Sequence, residues 1–497
     1  MKFSLLFRDF AVVQESEDRI QGTGRRSQED GERGTGKRSS RLQDAGDVLG
    51  ERDAVRERVA GDLLIERLVA EFEASAECAT NFVRVVTSSG KHGSSEYRQA
   101  ILADFLEKPQ LLEDLREMLK SYDGLRKDWQ ELRTALGTYA SLKATAEFVK
   151  ATLTYFSSIH AVLGEYEFSS DGLRRMKEWL LTMSRNSVIA ELSGIAELFR
   201  EDSLNAYEWS LQAALDDTLA VSSVRISAMK KIEDASFLKR VFSRKVDDGY
   251  ADLGEFHAEE AKTLLSTAMY ELYYAMTAVA GALYEIFRGL STELDFYTSA
   301  VKCVRYLEAA GTGAVFPVMS ADAMDCTALY DPLLIAEGLS AGQIVRNDVR
   351  ANGNLLVRGL NAAGKTSLLR AVGIAVLFGN AGLPICAGSA VIPEVNAVYT
   401  QFSKAEQLGT MDEAGRFEQE VREIAEIVRA NPAGSLVLLN ETFQTTSYAE
   451  GAEAIKPILQ MLERKGGKWI FVTHLTPLLE APPTNSTIRV MRNYRLE

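Results

Sequence analysis

Residues Asn354–Thr366 read NLLVRGLNAAGKT, and reading them decides the fold. Leu355, Leu356 and Val357 form a short apolar run of the kind that makes a buried strand. A glycine loop follows, from Gly359 to Gly364, and then Lys365 and Thr366. Residues 367–378 (SLLRAVGIAVLF) read as a helix that stops at a Gly-Asn-Ala-Gly sequence. Strand, glycine loop and helix in that order form the context a P-loop demands. The loop glycines let backbone N–H groups wrap a phosphate, and the helix start adds positive partial charge at the same place. On this reading Gly359, Leu360, Asn361, Ala362, Ala363, Gly364, Lys365, Thr366 and Ser367 hold ATP. Lys365 reaches the β- and γ-phosphates, and the Thr366 hydroxyl ligates Mg²⁺. The four fixed positions are expected by chance only about 0.02 times in a chain of this length.

Outward from the loop, the C-terminal part alternates between strands and helices. QIVRNDVR and AVIPEVNAVYTQF flank it, and AGRFEQEVREIAEIVRANP is an amphipathic helix. SLVLLNE, a helix, and KWIFVTH then repeat the strand–helix–strand pattern, and STIRVMRNYRLE closes as an edge hairpin. Such alternation predicts a largely parallel sheet flanked by helices over residues 311–497. Two of these strands end in chemistry, at the carboxyl edge where α/β ligand sites sit. LVLL is followed by Asn440 and Glu441, and Phe471-Val-Thr is followed by His474. Glu441 is placed to polarise an attacking water, and Asn440 stands on the magnesium side. His474 is placed to sense a γ-phosphate, although a lone His is more often structural.

Residues 58–310 have helical periodicity throughout. GDLLIERLVAEFEASAE, EYRQAILADFLEK and QLLEDLREMLKSY carry apolar residues at i, i+3, i+4 spacing. The run Glu255–Leu307 reads as one or two extended helices of the bracing or lever type. Tyr270, Tyr273 and Tyr274 sit on it at helical spacing and are expected in the core. Within the region, SSVRISAMKKIEDASFLKRVFSRKVDD is locally basic. Lys230, Lys231, Lys239 and Arg240 there are either DNA-phosphate contacts at a helical tip or a solvated charged face. Residues 1–14 form a short segment, and Met1–Val13 reads as a strand or edge. Residues 15–57 are rich in Gly, Ser and mixed charge, and read as a disordered polar linker.

Composition narrows the function classes. The 497 residues carry a net charge of −14, so any nucleic-acid contact must come from a local basic patch. Cys78, Cys303, Cys326 and Cys386 form no CxxC pair and are read as reduced buried thiols. The four histidines are scattered, no apolar run reaches membrane-spanning length, and the N-terminus is a poor signal peptide. A cytoplasmic protein without membrane contact is expected.

The loop, with Arg370 and Gly382 after it, resembles the GPNMGGKS loop and helix of the MutS family. GRFEQEVRE (Gly415–Glu423) is similar to the family signature STFMVEMTE through Phe417, Glu420 and Glu423. SLVLLNETFQTTSYAEG is similar to SLVLMDEIGRGTSTYDG, and VTH to ATH. Residues 344–349 (IVRNDV) resemble the segment that borders adenine, which adds Ile344 and Val345 to the ATP contacts. Leu329–Pro332 resembles the strand before the ATPase domain, and YRQAILADFLEKPQLLEDL and ELDFY resemble the family's core-domain helices. The resemblance implies a helical core and lever domain followed by a P-loop ATPase domain of ABC-like architecture. It also implies ATP and Mg²⁺ as cofactors, a homodimer through the ATPase domains, and a DNA clamp in repair or recombination. Lys365, Glu441 and His474 are then the catalytic residues, and Thr366, Asn440 and Glu441 the metal side. The chain departs from the family pattern in three places. Gly415 and Arg416 replace Ser-Thr, Asn440 replaces Asp, and the mismatch-reading domain has no counterpart, so direct mismatch reading is not expected. Two other readings remain: a nucleotide switch or scaffold for protein partners, and an SMC- or ABC-type lever ATPase, for which the LSGGQ signature is missing.

Overall fold

The computed structural model describes residues 4–5, 54–88, 94–135, 138–185, 207–215, 221–231, 255–403, 413–430, 433–443 and 447–497. The expected linker over 15–57 lies outside them except for its last residues, because a helix already runs from residue 54 to 62. Of the expected N-terminal strand only Ser4 and Leu5 are described. The chain divides into two compact units, one of Met1–Pro109, Phe168–Arg174 and Thr292–Glu497, the other of Gln110–Glu167 and Arg175–Ser291.

The second unit is built on long helices. It holds most of α4 (Pro109–Ala135), α5 (Thr138–Gly164), α6 (Asp171–Ser184) and the first part of α7 (Glu255–Ala309). α7 is one uninterrupted helix where the sequence allowed one or two. The core of this unit is aromatic. Trp129 stacks on Phe148 at 4.5 Å, and Tyr122 stacks on Phe287 at 4.2 Å. The polar tips of these rings are satisfied inside the core. Trp129 Nε1 donates to Thr145 Oγ1 at 3.0 Å, and the Tyr122 hydroxyl pairs with Thr152 Oγ1 at 3.1 Å.

Two expectations for this region need correction. An all-helical domain was expected, but β1 (Tyr207–Leu215) and β2 (Val221–Lys231) form an antiparallel hairpin. Lys230 and Lys231 therefore end a strand, opposite Glu208 and Tyr207, rather than a helical tip. Lys239 and Arg240 lie outside the described residues. The tyrosines were expected in the core, yet Tyr270 and Tyr274 are 49 % and 55 % exposed, with their hydroxyls 2.7 Å apart.

The first unit carries the sheets. In the six-stranded sheet the order is β12 (Arg495–Leu496), β11 (Ser486–Arg492), β6 (Asn354–Gly359), β10 (Lys468–Val472), β9 (Leu436–Asn440) and β8 (Val398–Phe402). Every pairing is parallel except β11 with β12, the expected edge hairpin. Strands covered on both faces read as continuous apolar runs rather than alternating ones, which is why LLV, LVLL and WIFV stand out in the sequence. α10 (Glu413–Arg429) and α11 (Tyr448–Arg464) bury Ile424, Ile427, Ile455, Leu459 and Leu462 against Leu356, Val437, Leu439 and Phe471. α9 (Lys365–Ala381), the helix after the loop, packs on strands β6, β9 and β10. A four-stranded mixed sheet adds β3 (Val318–Ser320), β7 (Ser389–Pro393), β4 (Met324–Leu329) and β5 (Asn347–Ala351) in that order. The helix-rich chain with a parallel-rich sheet is compatible with the expected α plus α/β class. Among the described residues, no helix is long and apolar enough to cross a membrane.

Ser4 and Leu5 are clasped by buried groups. The Ser4 hydroxyl and the Leu5 amide donate to the two oxygens of Glu293, and Tyr97 and Tyr297 donate to the Ser4 and Leu5 carbonyls. Burial pushes the Glu293 carboxyl up to about 7, against the Ser4 and Leu5 hydrogen bonds and the Arg98 charge. A raised carboxyl stabilises fully below its unfolded value and loses that contribution as pH rises toward the folded one. The window here runs from about 4.5 to 7. Glu293→Gln should therefore gain about 2–3 kcal/mol relative to the native chain between pH 5 and pH 8. Urea unfolding at the two pH values checks this, and a pH-independent difference would refute it.

All four cysteines are buried thiols outside any disulfide. Burial pushes the Cys326 and Cys386 thiols up to about 12 and raises Cys303 further. Cys78 Sγ donates to Asp295 Oδ1 at 3.4 Å.

Candidate functional site

β6, β10 and β9 run parallel in adjacent positions, with Val472 in register with both Val357 and Asn440. Their carboxyl ends are therefore level. The glycine loop, the His474 turn and the Asn440–Glu441 step meet at one edge of the sheet.

The loop is shaped by two left-handed residues two apart, Ala362 at φ 61° and Gly364 at φ 89°. This alternation turns successive amides to one side, the geometry of an anion nest. Gly359 leaves the sheet so close to β11 that a Cβ on it would stand 2.5 Å from Met491 O. Lys365 opens α9 and is 5 % exposed. Its Nζ donates to Gly359 O and Leu360 O, both at 3.0 Å, and to His474 Nε2 at 2.8 Å. An ammonium has only donors, so Nε2 accepts, and the ring is the neutral tautomer with its proton on Nδ1. Burial, then the Lys365 charge, lowers the His474 pKa. Burial also lowers the Lys365 pKa, with Glu441 opposing it. Glu441 Oε1 lies 3.6 Å from Lys365 Nζ and 3.5 Å from His474 Nε2. The three residues expected to be catalytic thus converge on one point.

The metal-side residues lie beside them. Asn440 Nδ2 is 3.4 Å from Thr366 Oγ1, and Asn440 Oδ1 is buried without a hydrogen-bond partner. An orphaned carbonyl oxygen beside a hydroxyl and next to a carboxylate suits a hard cation, which takes oxygen donors and keeps several waters. The residues present fit Mg²⁺.

Next to the loop is a cavity of about 230 Å³, lined by Tyr330, Val345, Asn347, Ser367, Leu368 and Tyr494 among others. Tyr494 lies on the loop itself, since a Cβ on Gly364 would come within 2.8 Å of its Cδ1. Asn347 fixes that hairpin by donating to Tyr494 O at 3.0 Å and accepting from Leu496 N at 2.7 Å. Of the two residues expected to border the base, Val345 lines the cavity, whereas Ile344 is buried at 6 % exposure and does not. Successive residues of an extended segment face opposite ways. Tyr494 and Asn347 were not singled out from sequence; the Asn-Tyr turn of the closing hairpin was the available signal. Asp331 was quoted only as part of a strand. It lines the cavity too, and it receives Arg370 Nε and Nη2, both at 2.9 Å.

Beyond Asn440 the chain makes a strained turn. Glu441 at φ 59° and Phe443 at φ 62° are both left-handed, which costs about 1–2 kcal/mol per residue with a side chain. The turn is held by side chains of β8 and α10 that the sequence named without a role.

Comparison with known proteins gives two family matches. The model described as MutS domain V matches residues 355–496, and the MutS2 N-terminal domain matches residues 94–310. The chain is 34 % identical over 124 residues to Endonuclease MutS2 of Thermus thermophilus, covering 25 % of this chain and 16 % of that protein. It is 32 % identical over 150 residues to the mitochondrial DNA mismatch repair protein MSH1 of Arabidopsis thaliana, covering 30 % and 13 %. It is 28 % identical over 229 residues to the DNA mismatch repair protein MutS of Chlorobium chlorochromatii, covering 45 % and 25 %. The matched stretch is thus a quarter or less of these relatives' lengths. With one match over the helical region, another over the sheet that carries the loop, and relatives named MutS2, MSH1 and MutS, the chain is similar to the MutS family over both regions.

Proposed function

We propose that the chain is a Mg²⁺-dependent ATPase that couples its nucleotide state to a dimeric DNA clamp, in repair or recombination rather than in mismatch reading. The observation that carries this reading is the meeting of Lys365, His474 and Glu441 within 3.6 Å at the mouth of the glycine loop. Lys365 neutralises charge that develops on the β- and γ-phosphates. Glu441 orients the attacking water. Neutral His474 stands beside both the cation and the carboxylate, where it registers the γ-phosphate. Thr366 and Asn440, with Glu441 beside them, would hold Mg²⁺, which when bound would supply further positive charge to the phosphates. The cavity under Tyr494 and Val345 takes the base. The names of the relatives, mismatch repair proteins and an endonuclease, support the DNA part, with Lys230 and Lys231 at the end of β2 as contacts. A clamp responds to ATP only if ATP contacts differ between its two states.

Steady-state hydrolysis across a magnesium titration tests the enzyme reading. Glu441→Gln should bind ATP normally and turn over at background. Asn440→Asp should reach its maximal rate at lower magnesium, because a charged oxygen replaces a neutral one. If the native chain and Glu441→Gln share one background rate at saturating magnesium, hydrolysis is refuted and a nucleotide switch for protein partners takes its place.

A further inference from the structure

We propose that helix α10 positions the hydrolytic carboxylate: Glu420, with Phe417 beside it, holds the left-handed turn Glu441–Phe443 and thereby sets where the Glu441 side chain stands. The inference rests on the hydrolysis reading above. A turn with two left-handed residues that carry side chains persists only where its surroundings hold it. Glu441 N donates to Val472 O at 2.8 Å, which ties the start of the turn to β10. The end of the turn is tied to α10, where Phe443 N donates to Glu420 Oε2 at 2.9 Å. The second oxygen of Glu420 accepts from Ser403 Oγ at 3.2 Å, just past β8. Glu420 is buried, so these bonds do not compete with water. The Phe443 ring, 1 % exposed, lies 5.2 Å from the Phe417 ring.

The middle of the turn is held through a second chain of bonds. The Thr442 hydroxyl donates to Gln401 Oε1. Gln401 Nε2 donates to Glu423 Oε2 at 3.3 Å, and Glu423 Oε1 accepts from Gln419 at 3.1 Å. Phe417, Glu420 and Glu423 are three residues apart and share one helix face. These residues carry the likeness of α10 to the family signature, and all three are spent on this turn. The similar family segment has Gly at the position of Phe443, where a positive φ costs little. In this chain a phenylalanine takes that conformation, so the holding falls to α10. Glu420 acts on Glu441 through the turn and is a positioning residue.

The test compares Glu420→Ala with Glu420→Gln. The glutamine keeps an oxygen for the Phe443 amide, whereas the alanine removes it. Glu420→Ala should lower kcat at saturating ATP by about tenfold or more, with ATP affinity by calorimetry within about twofold. Glu420→Gln should stay within about twofold of the native chain in both. Amide exchange at Phe443 should quicken in the alanine variant and not in the glutamine one. Should Glu420→Ala fail to fold, Phe417→Leu carries the same test, with a kcat loss of about threefold at unchanged affinity. An unchanged kcat, a parallel loss of kcat and affinity, or a glutamine as defective as the alanine overturns the proposal. If the native chain turns over no faster than Glu441→Gln, the hydrolysis reading fails by itself. Phe443 exchange then still decides whether Glu420 holds the turn, and unchanged exchange in Glu420→Ala overturns that claim.

Discussion

Lys365→Ala should weaken ATP binding by about a hundredfold or more while leaving the fold intact. Hydrogen bonds to a charged partner contribute about 1.5–3 kcal/mol each, and two of them to phosphate oxygens exceed the 2.7 kcal/mol that a hundredfold represents. Low exposure strengthens the effect, because water screens the ammonium poorly there. Stability should change little. The lysine is partly desolvated at its own cost, which is the first cause of its lowered pKa, and its loss removes that cost together with its bonds to Gly359 O and Leu360 O. Calorimetry with ATP and a thermal melt of the variant decide the matter. An ATP affinity equal to that of the native chain would refute the loop assignment.

The second large effect is on stability and lies behind the cavity. Arg370 donates from Nε and Nη2 to Asp331 Oδ2, and Asp331 Oδ1 accepts from Leu333 N at 3.1 Å. Asp331 is buried, and burial raises its pKa while Arg370 pulls it back down. Arg370→Leu strands that carboxyl without its counter-charge, at a cost of about 3–5 kcal/mol. That is a large share of the 5–15 kcal/mol that keeps a typical domain folded. The sign of the pH dependence follows. Without the arginine the Asp331 pKa rises further, so the folded variant prefers the protonated acid. Its deficit should then shrink as pH falls toward the range where the acid takes up its proton, and grow at alkaline pH. Urea midpoints of the variant and the native chain at pH 5 and pH 8 give both quantities. Arg370→Leu with Asp331→Leu should recover most of the loss, since a matched apolar pair strands no charge. A single variant as stable as the native chain would show that the pair is dispensable.

The region around the loop was legible because its physics is local. A parallel strand buried on both faces must be apolar throughout, and a phosphate loop must carry glycines and a lysine at fixed spacing. Residues 354–378 state both conditions in one stretch. The β1–β2 hairpin was not legible. YEWSLQAAL and VSSVRISAMKK contain Ala, Leu, Met and Lys, good helix formers, and their strand character depends on pairing with each other. Long helices on both sides made the helical reading seem continuous. Tyr270 and Tyr274 failed for another reason: spacing shows that residues share a helix face but not which face meets the core. At the site, sequence named Glu441 but not the turn that carries it. The bonds from Glu420 to Phe443 and from Gln401 to Thr442 join residues 23 and 41 positions apart, and no local pattern announces them.

The buried thiols make this chain convenient for optical measurement. Cys78, Cys303, Cys326 and Cys386 are shielded by packing, and burial also holds the Cys303, Cys326 and Cys386 thiols in the protonated form, which does not attack maleimides or iodoacetamides. The native sequence is therefore nearly silent toward such dyes, and no cysteine-free background has to be built first. Leu132 and Tyr448 are 48 % and 53 % exposed, one in each compact unit. Leu132→Cys with Tyr448→Cys would carry a donor and an acceptor fluorophore at two chosen points. Their energy transfer would act as a ruler for the spacing of the units with and without nucleotide, read on single molecules in solution.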